Sequence, residues 1–393
     1  MRVAVIHDWF EVYAGAERVT EQILDIHEDA DVFTLVDFMP QEERQFMNDR
    51  LVKTSFIQDL PFAKRMFRAY LPLFPLAIEQ LDLSGYQLVI SSSYAVAKGV
   101  ITGPDQLHVC YCHSPIRYAW DLREEYLRER NIATGWRSHL ARLILHRIRM
   151  WDVVSAAAPD YFVANSEFVR ARIQKFYRRP ATVIYPPVDV QRFRPLEDKD
   201  DFYLTVSRSV PYKRVPLIVE AFRRTPQRRL VVIGDGPEAS KARAAAAGAA
   251  NIEILGFQPD SVVEDYMRRA RAFIFAARED FGIVPLEAQA CGTPVIAYGV
   301  VGVVETVRAL GYAERPTGVF FEEQTSAAII AALDRFERNP DAFSAEQCRA
   351  NALRFAPERF RNEFGDFVNR SLERHWRDRR PLQRTPPAAV ASA

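Results

Sequence analysis

The sequence predicts an α/β protein built from two doubly wound domains, each with a parallel sheet. Three observations support this prediction. Short apolar runs rich in β-branched residues alternate with segments whose apolar residues recur at helical spacing. The alternation forms two separate series, and a stretch with two adjacent prolines and then charged residues lies between them. Strands that alternate with helices form parallel sheets covered on both faces, and 393 residues suffice for two such cores.

The first series predicts an N-terminal domain over residues 1–187. Its helical segment is "AGAERVTEQILDIHED", directly after the first strand. Its strand-like runs are "RVAVIH" (2–7), "ADVFTLVD" (30–37), "YQLVISSS" (86–93), "QLHVCYCH" (106–113) and "DYFVANS" (160–166).

The second series predicts another domain over residues 201–356, with residues 188–200 as the linker. A last amphipathic helix, 357–378, is predicted to pack back on the first domain, and the Arg-, Pro- and Ala-rich segment 379–393 is predicted to be a disordered tail. The strand-like runs are "DFYLTVS" (201–207), "RRLVVIG" (228–234), "NIEILG" (251–256), "RAFIFAA" (271–277) and "TPVIAYG" (293–299).

Composition excludes several classes of function. Lys and Arg number 52 against 51 Asp and Glu, so the formal net charge of +1 gives no electrostatic case for a nucleic-acid partner. Four cysteines in a chain of this length do not make a disulfide scaffold. The N-terminus lacks a signal-peptide pattern, and no apolar run approaches the ~18 residues of a membrane span. We therefore expect a cytoplasmic protein.

Two carboxylates flank a predicted helix start in "REDFGIVPLEAQACGTPVIAYG" (278–299). Glu279 follows the strand 271–277, and Glu287 lies in the early helix. Gly282 lets the backbone approach a ligand closely, and Pro285 fits a first helical turn. Because a helix start suits phosphate, carboxylates there would address other groups, and sugar hydroxyls are the natural candidates. The alternative is that both carboxylates only stabilise the positive helix end.

Other strand ends carry polar or glycine-rich loops, which is where ligands bind in open α/β sheets. "SRSVPYKR" (207–214) places Arg208 and Lys213 on one loop, which suits a pyrophosphate, although a solvated basic turn is the alternative. Gly234 begins the turn "GDGP", but Ala239 stands where a dinucleotide fingerprint requires glycine. Phe257 in "ILGFQPD" could face a nucleobase or simply pack.

These motifs together resemble the family 4 glycosyltransferases, retaining enzymes of the GT-B architecture, in which two Rossmann-like domains face each other across a cleft. The resemblance spans about residues 1 to 310 and lies in "GAERV", "CHSP", "ANSEFVR", "SRSVPYKR", "VVIGDGP", "LGF" and "EDFGIVPLEAQACGTPVIA". "HDWF" with "CYCHSPIRYAWD" is similar to bacterial mannosyltransferases of surface-polysaccharide assembly. The chain departs from the pattern at Ala14, where the family often has a glycine.

The resemblance implies roles for particular residues. Glu279 would bind hydroxyls of the donor sugar, and Glu287 the nucleotide ribose. Arg208 and Lys213 would bind the diphosphate and stabilise its charge as it leaves. His113 would lie beside the sugar ring, whereas a lone histidine at a strand end is otherwise a structural hydrogen bonder. The other implied contacts to the donor come from Gly15, Phe281, Gly282, Ile283, Gly234 and Phe257.

The same resemblance implies transfer of a hexosyl, favouring mannosyl, group from a nucleotide sugar such as GDP-mannose. The acceptor would be a glycan or a polyprenyl-diphosphate-linked oligosaccharide bound by the N-terminal domain. No metal or other cofactor is expected, because the cations and the helix end would replace it. A zinc cluster at Cys110, Cys112 and His113 is disfavoured, since no second ligand pair has metal spacing.

Two alternatives stay open. A NAD-dependent dehydrogenase would also have two Rossmann-like domains, but "HDWFEVYAGAE" offers only one glycine after the first strand. A non-catalytic nucleotide-sugar-binding protein would share the whole pattern except turnover.

Two basic, amphipathic segments of the first domain, 60–81 and 136–151, mix Lys and Arg with Phe, Leu and Trp. Such helices can lie on an anionic membrane, and core-packing helices with a solvated basic face are the alternative. We predict peripheral association with the inner face of the cell membrane.

Overall fold

The computed structural model describes residues 1–129 and 132–378. The predicted disordered tail, 379–393, lies outside the described residues. Within them the chain forms two α/β domains, each built on one parallel sheet, so the predicted fold class is confirmed.

The first domain contains a seven-stranded sheet in the order β3-β2-β1-β4-β5-β6-β7. Its strands are β1 (Val3–His7), β2 (Asp31–Thr34), β3 (Val52–Thr54), β4 (Leu88–Ser93), β5 (Leu107–Cys112), β6 (Tyr161–Ala164) and β7 (Ala181–Val183). Its helices are α1 (Gly15–Ile26), α2 (Ala63–Met66), α3 (Phe74–Glu79), α4 (Arg123–Glu129), α5 (Gly135–Ser155) and α6 (Glu167–Tyr177). Every residue of β4 and β5 is buried, as expected for central strands covered by helices.

The second domain contains a six-stranded sheet in the order β10-β9-β8-β11-β12-β13. Its strands are β8 (Tyr203–Val206), β9 (Leu230–Ile233), β10 (Ile252–Gly256), β11 (Ala272–Phe275), β12 (Val295–Tyr298) and β13 (Gly318–Phe321). Its helices are α7 (Val215–Arg223), α8 (Ala239–Ala246), α9 (Asp260–Arg269), α10 (Ile283–Ala290), α11 (Val303–Thr306), α12 (Ser326–Glu337) and α13 (Ala345–Leu353). The strand order reverses between β8 and β11, which defines the switch point where ligands bind in such sheets.

The last helix, α14 (Pro357–Asp378), joins the two domains. It leaves the second domain and buries Phe360, Phe364 and Val368 in the core of the first. In the segment that connects the two sheets along the sequence, Val188 and Phe193 are buried in the core of the second domain. This connection is therefore packed rather than solvated.

The domains also touch near their strand ends. The carboxylate of Glu305, on α11, accepts hydrogen bonds from the backbone N–H groups of Glu167 (2.8 Å) and Phe168 (3.2 Å), at the start of α6. A carboxylate at a helix N-terminus is favourable because the end carries partial positive charge. None of the helices formed by residues 1–129 and 132–378 combines the length and the apolar character that crossing a bilayer requires.

Candidate active site

Two helix N-termini meet at the junction between the domains. α1 begins at Gly15 after β1, and α10 begins at Ile283 after β11. A Cβ on Gly15 would lie only 2.7 Å from Cδ1 of Ile283, so the first residues of the two helices are in close contact. The first N–H groups of a helix have no intrahelical acceptor, and they carry partial positive charge. The junction therefore suits an anionic ligand.

The loop before α10 brings Glu279 into contact with Lys213. Lys213 ends a 3₁₀ turn (Pro211–Lys213) after β8, and its Nζ forms an ion pair with the Glu279 carboxylate. The two side chains are only 12% and 17% exposed, so the pair is poorly screened by water. Burial lowers the pKa of Lys213, with a further lowering by the nearby charge of Arg117, while Glu287 raises it. The Lys213 ammonium therefore lies within electrostatic reach of both carboxylates.

Glu287, on α10, is paired with Arg18 of the first domain. The Arg18 guanidinium donates to Oε1 of Glu287, whose side chain is 9% exposed. Burial alone would lower the pKa of Arg18, but the charge of Glu287 and the hydrogen bond to it raise it overall. Sequence reasoning missed Arg18. It stands three residues after Gly15 and thus on the same face of α1, which is the signal that could have found it.

A second interdomain contact holds the residue next to Glu279. Asp280 lies 3.4 Å from Nη1 of Arg172 and 3.8 Å from Nε of Arg117, both from the first domain. Arg172 is buried and also donates to Ser114 Oγ at 2.6 Å and to Asp121. The Glu279 loop is therefore tied to the first domain through its neighbour.

His113 follows β5 and lies partly exposed. Its Nε2 is 2.8 Å from Ser92 Oγ, and its carbonyl accepts a hydrogen bond from Nδ2 of Asn165 at 3.0 Å. Burial lowers the pKa of His113 to about 3, so its imidazole is neutral near pH 7.

The cysteines beside His113 are structural. Cys110 and Cys112 are free thiols buried in an apolar cluster, and burial raises the pKa of Cys112. Such a thiol is not a ready metal ligand, because metals bind the thiolate. In the described part of the chain, no group of three or more His, Cys, Asp or Glu side chains is arranged to hold a metal ion.

Three of the sequence-predicted residues, Arg208, Gly234 and Phe257, lie outside the contacts just described. Arg208 is exposed and lines an open cavity of about 1080 Å³ that also includes Tyr212 and Glu238. Gly234 sits against the same loop, since a Cβ there would lie 2.0 Å from the carbonyl oxygen of Ser207. Phe257 is 80% exposed, so it does not serve as a core residue.

Arg208 nevertheless faces the first domain. A hydrogen bond from Arg68 and the charges of Arg68 and Arg208 lower the pKa of Glu11, in the loop after β1, although burial opposes them. The structure thus brings together Gly15, Ile283, Glu279, Lys213 and Glu287, with Arg208 at the edge of the junction.

Two doubly wound domains, with sheets of seven and six parallel strands, are the architecture of the GT-B class. Residues 14–192 match the family described as Glycosyltransferase Family 4, and residues 188–355 match Glycosyl transferases group 1. The chain therefore contains one domain of each kind, and the two matches together span residues 14–355.

Curated relatives match part of the chain. D-inositol 3-phosphate glycosyltransferase of Frankia alni is 32% identical over 188 residues, 40% of this chain and 44% of that protein. The enzyme of the same name from Segniliparus rotundus is 29% identical over 212 residues, 46% of each chain. The matched segment thus spans less than half the length of these relatives.

Solved structures share the fold over nearly the whole chain. Anabaena HepE in complex with UDP superposes with a TM-score of 0.68 at 16% identity, covering 94% of this chain and 100% of that one. Sucrose-phosphate synthase from Thermosynechococcus elongatus gives a TM-score of 0.69 at 17% identity, covering 95% and 99%. At such identities the likeness is one of fold.

Proposed function

We propose that the protein is a retaining glycosyltransferase that transfers a hexosyl group from a nucleotide sugar to a glycan or lipid-linked acceptor. The observation that carries the proposal is the junction itself. Glu279, in the loop before α10, is paired with Lys213, and Ile283 at the start of α10 packs against Gly15 across the domain boundary. The matches to both glycosyltransferase domains support the same activity.

The chemistry assigned to the junction is stabilisation of a leaving diphosphate. Lys213, Arg208 and the free N–H groups at the start of α10 would stabilise the negative charge that builds up as the sugar departs. Fixed cations and helix ends at such a place act mainly on the transition state. The acceptor would attack from the leaving-group side, and the departing phosphate would help to remove its proton. That course retains the configuration at the sugar carbon and needs no metal ion.

Each of the two carboxylates has a cationic partner in the structure. Glu279 contacts Lys213, and Glu287 contacts Arg18. Donor binding would therefore exchange ion pairs for hydrogen bonds to sugar and ribose hydroxyls. It would also turn Lys213 toward the diphosphate.

The proposed donor is GDP-mannose, on the resemblance of "HDWF" and "CYCHSPIRYAWD" to mannosyltransferases. Other nucleotide sugars must also be tested as donors, because one solved structure with the same fold, Anabaena HepE, is a complex with UDP and glucose. The proposed acceptor is a glycan or a polyprenyl-diphosphate-linked oligosaccharide on the first domain.

A panel of GDP, UDP, dTDP and ADP sugars tests the proposal. We expect one nucleotide series to raise the melting temperature, and its sugar to be hydrolysed slowly without acceptor, in EDTA as in buffer. The anomeric configuration of the released or transferred sugar, followed by NMR at early times, reports retention. Binding without any turnover would favour a nucleotide-sugar-binding protein. No shift with the panel, together with a change in nicotinamide absorbance, would favour the dehydrogenase.

We further propose that the first domain rests on an anionic membrane. Helix α5 exposes an apolar stripe with helical spacing: Trp136, Leu140, Leu143, Met150 and Val154. Segment 62–76 adds the exposed side chains Phe62, Met66, Leu73 and Leu76. The Trp151 indole donates to Glu79 at 2.6 Å and so joins α5 to α3. Exposed basic side chains border both segments, as in helices that lie in a membrane interface.

A further inference from the structure

A buried chain of polar side chains runs behind His113 to the start of α1. Ser92 Oγ lies 2.8 Å from Nε2 of His113, 3.0 Å from Oγ1 of Thr20 and 3.1 Å from Nδ1 of His7. Nε2 of His7 lies 3.2 Å from Oε1 of Glu17. His7, Thr20 and Ser92 are fully buried, and Glu17 is 5% exposed.

The far end of this chain is fixed by the backbone. The second carboxylate oxygen of Glu17 accepts a hydrogen bond from the N–H of Ala14 at 3.1 Å, directly before Gly15. An ionised carboxylate only accepts hydrogen bonds, so His7 carries a proton on Nε2, and the neutral form of its ring presents Nδ1 as an acceptor. The chain therefore has a direction, set at the loop that opens α1.

The protonation of His113 then depends on which hydroxyl donates to His7. Nδ1 of a neutral His7 needs a donor, and the hydroxyls of Ser92 and Thr20, each with one hydrogen, both lie 3.1 Å from it. Donation by Thr20, with Ser92 donating to His113, would leave the contacts of Ser92 with His7 and with Thr20 without a proton. Donation by Ser92 leaves only the Thr20–His7 contact without one, so we take Ser92 as the donor.

If Ser92 donates its proton to His7, its oxygen can only accept in its two other short contacts. Both of those contacts are hydrogen bonds only when Thr20 and Nε2 of His113 donate to Ser92. The neutral His113 ring then has its lone pair on Nδ1. Among residues 1–129 and 132–378, none forms a hydrogen bond with Nδ1 of His113, and the protein does not fully enclose this atom.

We propose that Glu17 and His7 are positioning residues that hold His113 in the Nε2–H tautomer, so that its Nδ1 accepts a hydrogen bond from a hydroxyl of the donor sugar. The role toward the sugar rests on the proposed function. The tautomer itself does not, because it is inferred from the arrangement of protons that fills the most contacts around Ser92 beside a neutral His7. The same carboxylate thus orders the loop at Gly15 and the ring of His113.

Replacing the Glu17 carboxylate by an amide should reverse the direction of these hydrogen bonds. In Glu17→Gln, the amide oxygen must face the Ala14 N–H, because the amide nitrogen there would place two donors together. The NH₂ group then faces His7, which becomes the Nδ1–H tautomer and donates to Ser92. Ser92 donates to His113 in turn, and His113 carries its proton on Nδ1. Thr20 could interrupt this reversal by accepting from Ser92, and Thr20→Val removes that hydroxyl.

Histidine tautomers are measured by two-bond ¹H–¹⁵N correlation spectra of the ¹⁵N-labelled full chain without donor. The chain has seven histidines, and loss of one signal set in His113→Gln assigns His113. We expect the Nε2–H tautomer in the wild type and in Thr20→Val, and the Nδ1–H tautomer in Glu17→Gln/Thr20→Val. Glu21→Gln, on the same helix but bonded to Tyr13, is the matched control and should keep Nε2–H.

An Nδ1–H ring in the wild type would overturn the proposal without any variant. A ring unchanged in the folded double variant would overturn it as well. With the donor identified, Glu17→Gln/Thr20→Val should lower kcat about tenfold relative to Thr20→Val, as expected for one hydrogen bond offered with the wrong polarity. Because the spectra need no donor, their failure is distinct from failure of the donor panel.

Discussion

Arg18 and Glu287 form an ion pair across the boundary between the two domains. Arg18 lies one turn into α1 and Glu287 one turn into α10, so the pair spans the same junction that brings Gly15 against Ile283. Both side chains are largely withdrawn from water, at 20% and 9% exposure. A carboxylate buried to this extent depends on its partner, because the unpaired charge would have to be desolvated.

Arg18→Gln should therefore destabilise the protein through Glu287. We expect a cost of about 1–3 kcal/mol, the penalty of an unpaired buried group, seen as a lower melting temperature. Arg170→Gln removes an exposed ion pair with Glu167 and serves as control, with a change below about 0.5 kcal/mol. The double variant Arg18→Gln/Glu287→Gln should melt higher than the sum of the single effects predicts. Additive effects would show that the two residues do not interact.

Glu279→Gln should reduce transfer by about 10²-fold or more while the fold is kept. The substitution removes the negative partner of Lys213 and one oxygen that we assign to the sugar hydroxyls. Transfer or donor hydrolysis, measured beside the melting temperature, checks this. Glu323→Gln, an exposed carboxylate of the same domain, is the matched control and should behave as the wild type. Full activity of the Glu279 variant would remove the residue from the site.

Acid should destabilise the first domain through its buried histidines. Burial lowers the pKa of His108 and of His113 to about 3, against about 6.5 in an unfolded chain. Between pH 6.5 and 3 the unfolded state binds more protons, so stability is complete above pH 6.5 and falls as the pH falls. Each histidine contributes a slope of up to about 1.4 kcal/mol per pH unit.

His108→Gln should flatten this dependence of the melting temperature between pH 6.5 and 4. His139→Gln changes an exposed histidine on α5 and should keep the wild-type profile. Identical pH profiles for the wild type and His108→Gln would contradict the assignment of acid sensitivity to that ring.

Much of the fold could be predicted from the sequence because buried parallel strands are long apolar runs. β4 and β5 are buried throughout and were evident. The strands β3, β7 and β13 were missed, because three or four residues at a sheet edge are too short to show a period.

The contacts within the site depend on strand order and on domain orientation, which the spacing of residues along the sequence does not reveal. Lys213 meets Glu279 because β8 and β11 are hydrogen-bonded neighbours, so the loops after them leave the sheet side by side. That follows from strand order, which one sequence does not give. The Arg18–Glu287 pair also depends on how one domain is oriented against the other.

The exposed stripe on α5 should bind anionic vesicles. Leu140 and Leu143 are 50% and 52% exposed, so Leu140→Ser/Leu143→Ser removes apolar area from the stripe without opening the core. Of the four arginines in this segment, Arg142 is held by Glu124 and Arg149 by a backbone carbonyl. This leaves Arg137 and Arg147 exposed for lipid headgroups.

Flotation with vesicles that contain an anionic lipid measures this binding. We expect the wild type to float at low salt and to be released as salt rises, because charge attraction is screened. The serine double variant should remain unbound at the same melting temperature. Leu353→Ser removes a comparably exposed leucine, 48%, from the second domain and should float like the wild type. Equal flotation of all three proteins, or none by the wild type at low salt, would refute a membrane role for α5.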